Sequence, residues 1–254
     1  MHYRKNYLTK VIFKIDFTSP VEKTQNDDIA AKFSLGIKET YPTVRSKSMT
    51  HISVKVSPSG SGIDQGVIGK VWEHSDKEQN KVLILSPDAL LLEYRNGVYS
   101  HFAEFKNDMD LIYAQLQKVF EIPDFKRIGL RYINEIRIFE GNPFDWNGLI
   151  KESIVKSTLE GLSNEMKLTR SMHQLMAKYG EDISVLFQYG IFNPEYPNPV
   201  SKREFILDID CFISTLIEKG EIINRLEELN TVAEKTFENS IDDELRKLME
   251  VVND

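Results

Sequence analysis

The 254-residue chain holds a single cysteine, Cys211. A lone thiol makes no internal disulfide and no thiolate metal cage, which suits a reducing compartment. Glycine (13) and proline (9) are near globular usage, and 41% of residues are hydrophobic. Collagen-like, low-complexity and wholly disordered classes are therefore excluded. Long hydrophobic runs are also missing. The first apolar stretch, 11–17, is interrupted by Lys14 and Asp16, so no signal-peptide core is expected. The longest, 82–92, contains Ser86, Pro87 and Asp88 and falls well below the roughly 20 residues of a membrane helix. These absences predict a soluble, cytoplasmic protein with no membrane partner.

Charge is present but unevenly placed. Residues 1–127 carry 18 Lys and Arg against 16 Asp and Glu, while residues 128–254 carry 14 against 23. The net charge of −7 therefore comes from a second half at −9. Such a surface repels phosphate and disfavours nucleic acid, although Arg4, Lys5, Lys10 and Lys14 offer a small basic patch in the first half.

Periodicity gives the architecture. Val11, Phe13, Ile15 and Phe17 alternate with Ile12, Lys14 and Asp16, as in a half-buried strand. Asn26 offers a cap to a helix marked by Ile29, Phe33, Ile37 and Tyr41, which Pro42 stops. Strands are predicted at 51–57, 67–75 and 81–94, the last with a turn or bulge at Ser86-Pro87-Asp88. Asn107 and Asp108 open the next predicted helix, with Met109, Ile112, Leu116, Val119 and Phe120 as its apolar stripe. The second half repeats the order: a strand at 128–139, a helix capped by Asp145, strands at 172–179, 183–192 and 204–213, a long helix from Ile222 to Phe237, and a short one at 242–252. The expected fold class is α+β, with two β-α-β-β-β-α units in tandem over 1–127 and 128–254. Their sheets should be mainly antiparallel with helices on one face, and the units should pack as one compact body.

Most chemical motifs fail on spacing. Ser57 to Gly62, with Gly66 and Gly69-Lys70, invites a phosphate loop, but Asp64 and Val71 stand where a Walker loop needs Gly and Ser or Thr. The five histidines, His2, His51, His74, His101 and His173, show no helical ligand pairing. Cys211 falls on the apolar side of its strand and reads as an inert core thiol. Asp208 and Asp210 share one face of that strand, about 7 Å apart, and two carboxylates so placed can hold a divalent metal or pair with arginine. Residues 128–138 put Arg131 and Arg137 on one face and Asn134 on the other, otherwise apolar, face. We expect Arg131, Asn134, Arg137, Asp208 and Asp210 to form one polar network on the helix-free face of the sheet, with Arg131 within about 8 Å of an aspartate. Asn134 needs partners for its amide. No cofactor is expected.

The stretch Gly129-Leu-Arg-Tyr-Ile-Asn134 resembles the motif of a sporadically distributed prokaryotic family of uncharacterised proteins about 250 residues long. Tyr41-Pro42, residues 85–90 leading to Tyr94, Phe102 with Phe105, Asp208-Ile-Asp210, and Phe237-Glu-Asn-Ser240 add to the resemblance. Where that family usually has a histidine in its last long helix, this chain has Asn230 and Glu234. The patchy distribution resembles that of genes in mobile or defence-related loci. Three functions are therefore in play. The first is a non-enzymatic interaction or ligand-binding protein, with a protein partner or small ligand on the open sheet face, in a defence or toxin-neutralising setting. The second is a metal-dependent enzyme on a phosphate-containing substrate, using Asp208 and Asp210. The third is nucleic-acid binding through the basic patch with Tyr94 and Tyr132.

Overall fold

The structure, a computed structural model, describes residues 2–57, 60–160, 163 and 165–252; within 49–68 and at His2 and Val252 it describes backbone alone. Two residues of the phosphate-loop stretch, Pro58 and Ser59, lie outside the described residues.

The first half runs β1 (His2–Tyr3), β2 (Leu8–Phe17), a 3-10 turn at Glu22–Gln25, α1 (Asp27–Ile37), β3 (Thr43–Ser57), β4 (Gly60–Ser75), β5 (Lys81–Leu85), β6 (Ala89–Tyr94) and α2 (Phe102–Phe120). The second runs β7 (Asp124–Ile138), α3 (Glu152–Leu159), β8 (Ser171–Tyr179), β9 (Ile183–Ile191), β10 (Arg203–Ile213), β11 (Ile217–Glu218), α4 (Ile222–Ser240), α5 (Asp243–Met249) and β12 (Val251–Val252). This is a mixed α+β fold with five helices among the described residues. Its main sheet is open and antiparallel, in the order β3-β4-β5-β6-β2-β7-β10-β9-β8, with β11 beside β7. The pairing of β2 with β7 carries the sheet without a break from the first half into the second. Separately, β1 pairs with β12 and ties the two ends of the described chain together.

Alternation decides which side of the sheet is covered. Val11, Phe13, Ile15 and Phe17 of β2, Leu130, Tyr132 and Ile136 of β7, and Phe205, Leu207, Ile209 and Cys211 of β10 are buried together. Over them lie Phe105, Met109, Ile112 and Leu116 of α2 and Leu226, Leu229 and Ala233 of α4. The other face of the sheet carries Lys14 and Asp16 of β2, Arg127 and Arg131 of β7, and Asp208 and Asp210 of β10. Gly190 lets β8 dock on β9, because a Cβ there would collide with the Ser171 carbonyl.

The strands expected at 51–57 and 67–75 start earlier, at Thr43 and Gly60, and local chemistry departs from the sequence reading at four further places. Residues 81–94 form two strands joined by a tight turn, in which the Ser86 hydroxyl accepts from the Ala89 amide at 3.0 Å. The first half thus has four strands between its helices. Helix α2 begins one and a half turns before Asn107, capped by His101, whose Nδ1 accepts from the Glu104 amide at 3.1 Å. Asp108, half-buried, serves other groups: it accepts from Tyr41 at 2.9 Å, Tyr94 at 2.6 Å and the Lys81 ammonium at 3.0 Å. Asp145 caps a turn, accepting from the Asn147 amide, and α3 starts only at Glu152. The last helix stops at Met249 so that Val251 and Val252 can pair with β1. Among the described residues, no helix is long and apolar enough to cross a membrane.

Candidate binding pocket

Strand β7 projects the motif residues 129–134 to both sides of the sheet. On the open side, Arg131 grips Asp208 with two hydrogen bonds, Nε to Oδ1 at 2.7 Å and Nη2 to Oδ2 at 2.5 Å. This bidentate geometry is the strong form of an arginine-carboxylate pair, and it holds the guanidinium in its charged form. Arg127 lies 3.6 Å from Asp210 and 3.8 Å from Asp16, which also takes Lys14 at 2.7 Å. Gly129 makes room for this: a Cβ there would press on the Arg127 guanidinium, which stacks 4.7 Å over the Phe212 ring. Arg137 joins a separate group, with Glu135 at 2.5 Å and Glu204 at 3.7 Å.

The expected network is therefore split. Arg131 and Asp208 are joined, Asp210 pairs with Arg127, Arg137 pairs elsewhere, and Asn134 belongs to the opposite face. The physical reason is the two-residue period of the strand, which sends Asn134 the same way as Tyr132. Burial raises the Asp210 carboxyl more than Arg127 and Arg131 lower it. Among the described residues, no group of three or more His, Cys, Asp or Glu is placed to hold a metal ion. Cys211 is buried, and burial pushes its thiol up to about 12, as befits a core thiol.

On the helix side the motif opens onto a cavity of about 110 Å³. Tyr132 and Asn134 of β7 form its floor, Leu8 of β2 and Tyr7 one wall, Tyr99 to Phe102 at the start of α2 another, and Glu234, Phe237 and Glu238 of α4 a third. Tyr3 and Met249 close it from the paired ends of the chain. The α4 residues share one helix face, since 230, 234, 237 and 238 are spaced at one and two turns.

A directed chain of hydrogen bonds runs through the site. The Tyr132 hydroxyl donates to Asn230 Oδ1 at 2.5 Å, which leaves its oxygen to accept from Tyr99 at 3.2 Å. Asn230 Nδ2 then donates to Glu234 Oε1 at 3.1 Å. Burial raises both phenols, Tyr99 to about 12 and Tyr132 well above its usual value, and the Glu234 charge adds to each. Both stay protonated donors at neutral pH. Tyr3 donates to Glu238 at 2.5 Å, and Arg246 holds the other oxygen of Glu238 at 3.1 Å.

Three polar atoms of the lining are left over. Asn134 Nδ2 donates to the Leu207 carbonyl at 3.2 Å, which turns Oδ1 away from that bond. Asn134 Oδ1, the hydroxyl of half-buried Tyr7 and Oε2 of exposed Glu234 make no hydrogen bond among the described residues, whereas each open-face carboxylate named above has a cation within 4 Å. Sequence reasoning found Asn134 but missed Tyr7, Tyr99, Asn230 and Glu234 as site residues. The available signal was a polar residue on an apolar face twice over: Asn134 in its strand and Asn230 among Leu226, Leu229 and Ala233 in its helix.

No protein-family model matches the chain, and no curated protein is significantly similar to it.

Proposed function

We propose that the protein is a non-enzymatic ligand-binding or interaction protein whose binding site is the cavity beneath α2 and α4. The observation that carries this reading is the contrast in satisfaction. At the cavity floor buried Asn134 keeps Oδ1 without a hydrogen-bond partner among the described residues, beside the Tyr7 hydroxyl and exposed Glu234 Oε2, while on the open face Arg131 and Asp208 are joined by two hydrogen bonds and Arg127 and Asp210 by an ion pair. Unpaired polar atoms in an otherwise aromatic recess are what a ligand would complete. The ligand site thus moves from the open sheet face, where the sequence alone had placed it, to the helix side. Metal-assisted phosphate chemistry at Asp208 and Asp210 is the weaker reading, because both Asp208 oxygens already accept from Arg131.

The resemblance of residues 129–134 to the sporadic prokaryotic family fits this proposal, since Tyr132 and Asn134 are the motif residues at the cavity floor. We further propose that the halves are two copies of one plan, each running strand, helix, antiparallel meander and helix. The acidic second copy suits a basic partner in a cytoplasmic defence or toxin-neutralising setting.

Thermal unfolding in the presence of a panel of polar small molecules tests the reading. A ligand at a hundredfold its Kd contributes about 2.7 kcal/mol, roughly 5–10 °C in Tm for a chain of this size. At least one compound should produce such a shift in the wild type and lose it in Asn134→Leu. No stabilising compound, or equal shifts in both proteins, contradicts the proposal.

A further inference from the structure

Resting on the cavity as the ligand site, we infer that it selects a protonated amine on a short alkyl chain. The first ground is the sign of its polar lining. Its three uncommitted atoms, Asn134 Oδ1, the Tyr7 hydroxyl and Glu234 Oε2, include two that can only accept. The hydrogen-bond chain reinforces this polarity, because Tyr132 and Asn230 both direct their donors along it toward Glu234. An alkylammonium brings three donors and one positive charge, which matches this set.

The second ground is the aromatic wall. Tyr7, Tyr99 and Tyr132 line the same recess, the Tyr99 and Tyr132 rings tilted with centroids 5.7 Å apart, and aromatic rings attract a cation further once water is excluded. The third is charge. Glu238 is paired with Arg246, whereas Glu234, an exposed residue of α4 whose side chain lines the cavity, has no cation partner among the described residues and is free to meet a bound ammonium. An anion would meet no Lys or Arg in the lining, and the amide of Glu104 in the first turn of α2 is already taken by the His101 ring. Size limits the ligand as well. About 110 Å³ is small beside the roughly 300–1,000 Å³ of drug-sized sites, so the cavity takes the ammonium and a few methylenes, with any remaining body outside.

The ammonium can belong to a free amine or to a lysine side chain, and both are separable in one experiment. The full-length protein is titrated calorimetrically at pH 7 with butylamine hydrochloride, 1-butanol, sodium butyrate and a short lysine-containing peptide, with binding located by NMR shifts at Tyr99 and Tyr132. Butylammonium should bind at least tenfold more tightly than butanol or butyrate, and Glu234→Gln should reduce it to the level of butanol. Peptide binding tighter than butylammonium assigns the cation to a protein partner, and weaker binding assigns it to a free amine. Butanol or butyrate equalling butylammonium, with shifts still at Tyr99 and Tyr132, overturns the amine inference while the cavity stands as a site. Silence of both tyrosines to every compound overturns both.

Discussion

Strands β7 and β10 show the same backbone put to two uses. Facing out, Arg131 and Asp208, Arg127 and Asp210, and Arg137 and Glu204 answer one another across neighbouring strands, and the charges close into pairs. Facing the helices, Tyr132 and Asn134 sit among apolar residues; the Tyr132 hydroxyl continues into Asn230 and Glu234 of α4, while Asn134 spends its amide on the Leu207 carbonyl of β10 and keeps Oδ1 toward the cavity. Charge density alone would have nominated the open face as the functional one. Satisfaction of polar groups nominates the covered face, because the bidentate Arg131–Asp208 pair at the centre of the open one has both carboxylate oxygens committed.

The two faces should also answer acid with opposite signs, and the largest effect belongs to the covered one. His74 of β4 is buried beneath α1, with Nε2 2.8 Å from the Ser34 hydroxyl, and burial lowers its pKa to about 4. A depressed histidine contributes stability that is present above its unfolded pKa and lost as pH falls toward the folded one. Urea unfolding should therefore lose about 2 kcal/mol from this group between pH 7 and pH 5. His74→Leu should remove that loss; an unchanged pH dependence would show that His74 is not held neutral.

Next in size is Tyr132→Phe. It leaves Asn230 Oδ1 buried without its donor and should cost about 1–2 kcal/mol in urea unfolding at pH 7. A neutral result would mean that water replaces the phenol easily and that the chain is not rigid. Smaller and opposite in sign is Asp210→Asn on the open face. The carboxyl is raised by burial, so its contribution to stability is present below its unfolded pKa and lost as pH rises through the folded value. Removing the charge should leave the protein up to about 1 kcal/mol more stable at pH 7. Destabilisation would instead assign the Arg127 pairing a larger share than desolvation. Smallest of all, Arg137→Ala at an exposed pair should shift unfolding by less than about 0.5 kcal/mol.

The sequence carried the strands well because their two-residue alternation is enforced by burial, and that same period placed Arg131 and Asp208 on one side. Caps were less legible. Asn107 and Asp108 look like a helix start, yet Asp108 is claimed by Tyr41, Tyr94 and Lys81 from distant strands and turns, while His101 takes the capping role. Asp145 likewise caps only a turn, because α3 does not begin until Glu152. The cavity was least legible of all. Tyr132 and Asn230 are 98 residues apart, and only the packing of α4 on β7 brings them within a hydrogen bond.

The most direct test of the covered-face assignment is NMR of the full chain with labelled tyrosine and phenylalanine rings, titrated with a library of charged and neutral fragments. We predict saturable shifts at Tyr7, Tyr99 and Tyr132, with Phe212 on the open face unmoved. Shifts at Phe212 with those three tyrosines silent would contradict the account.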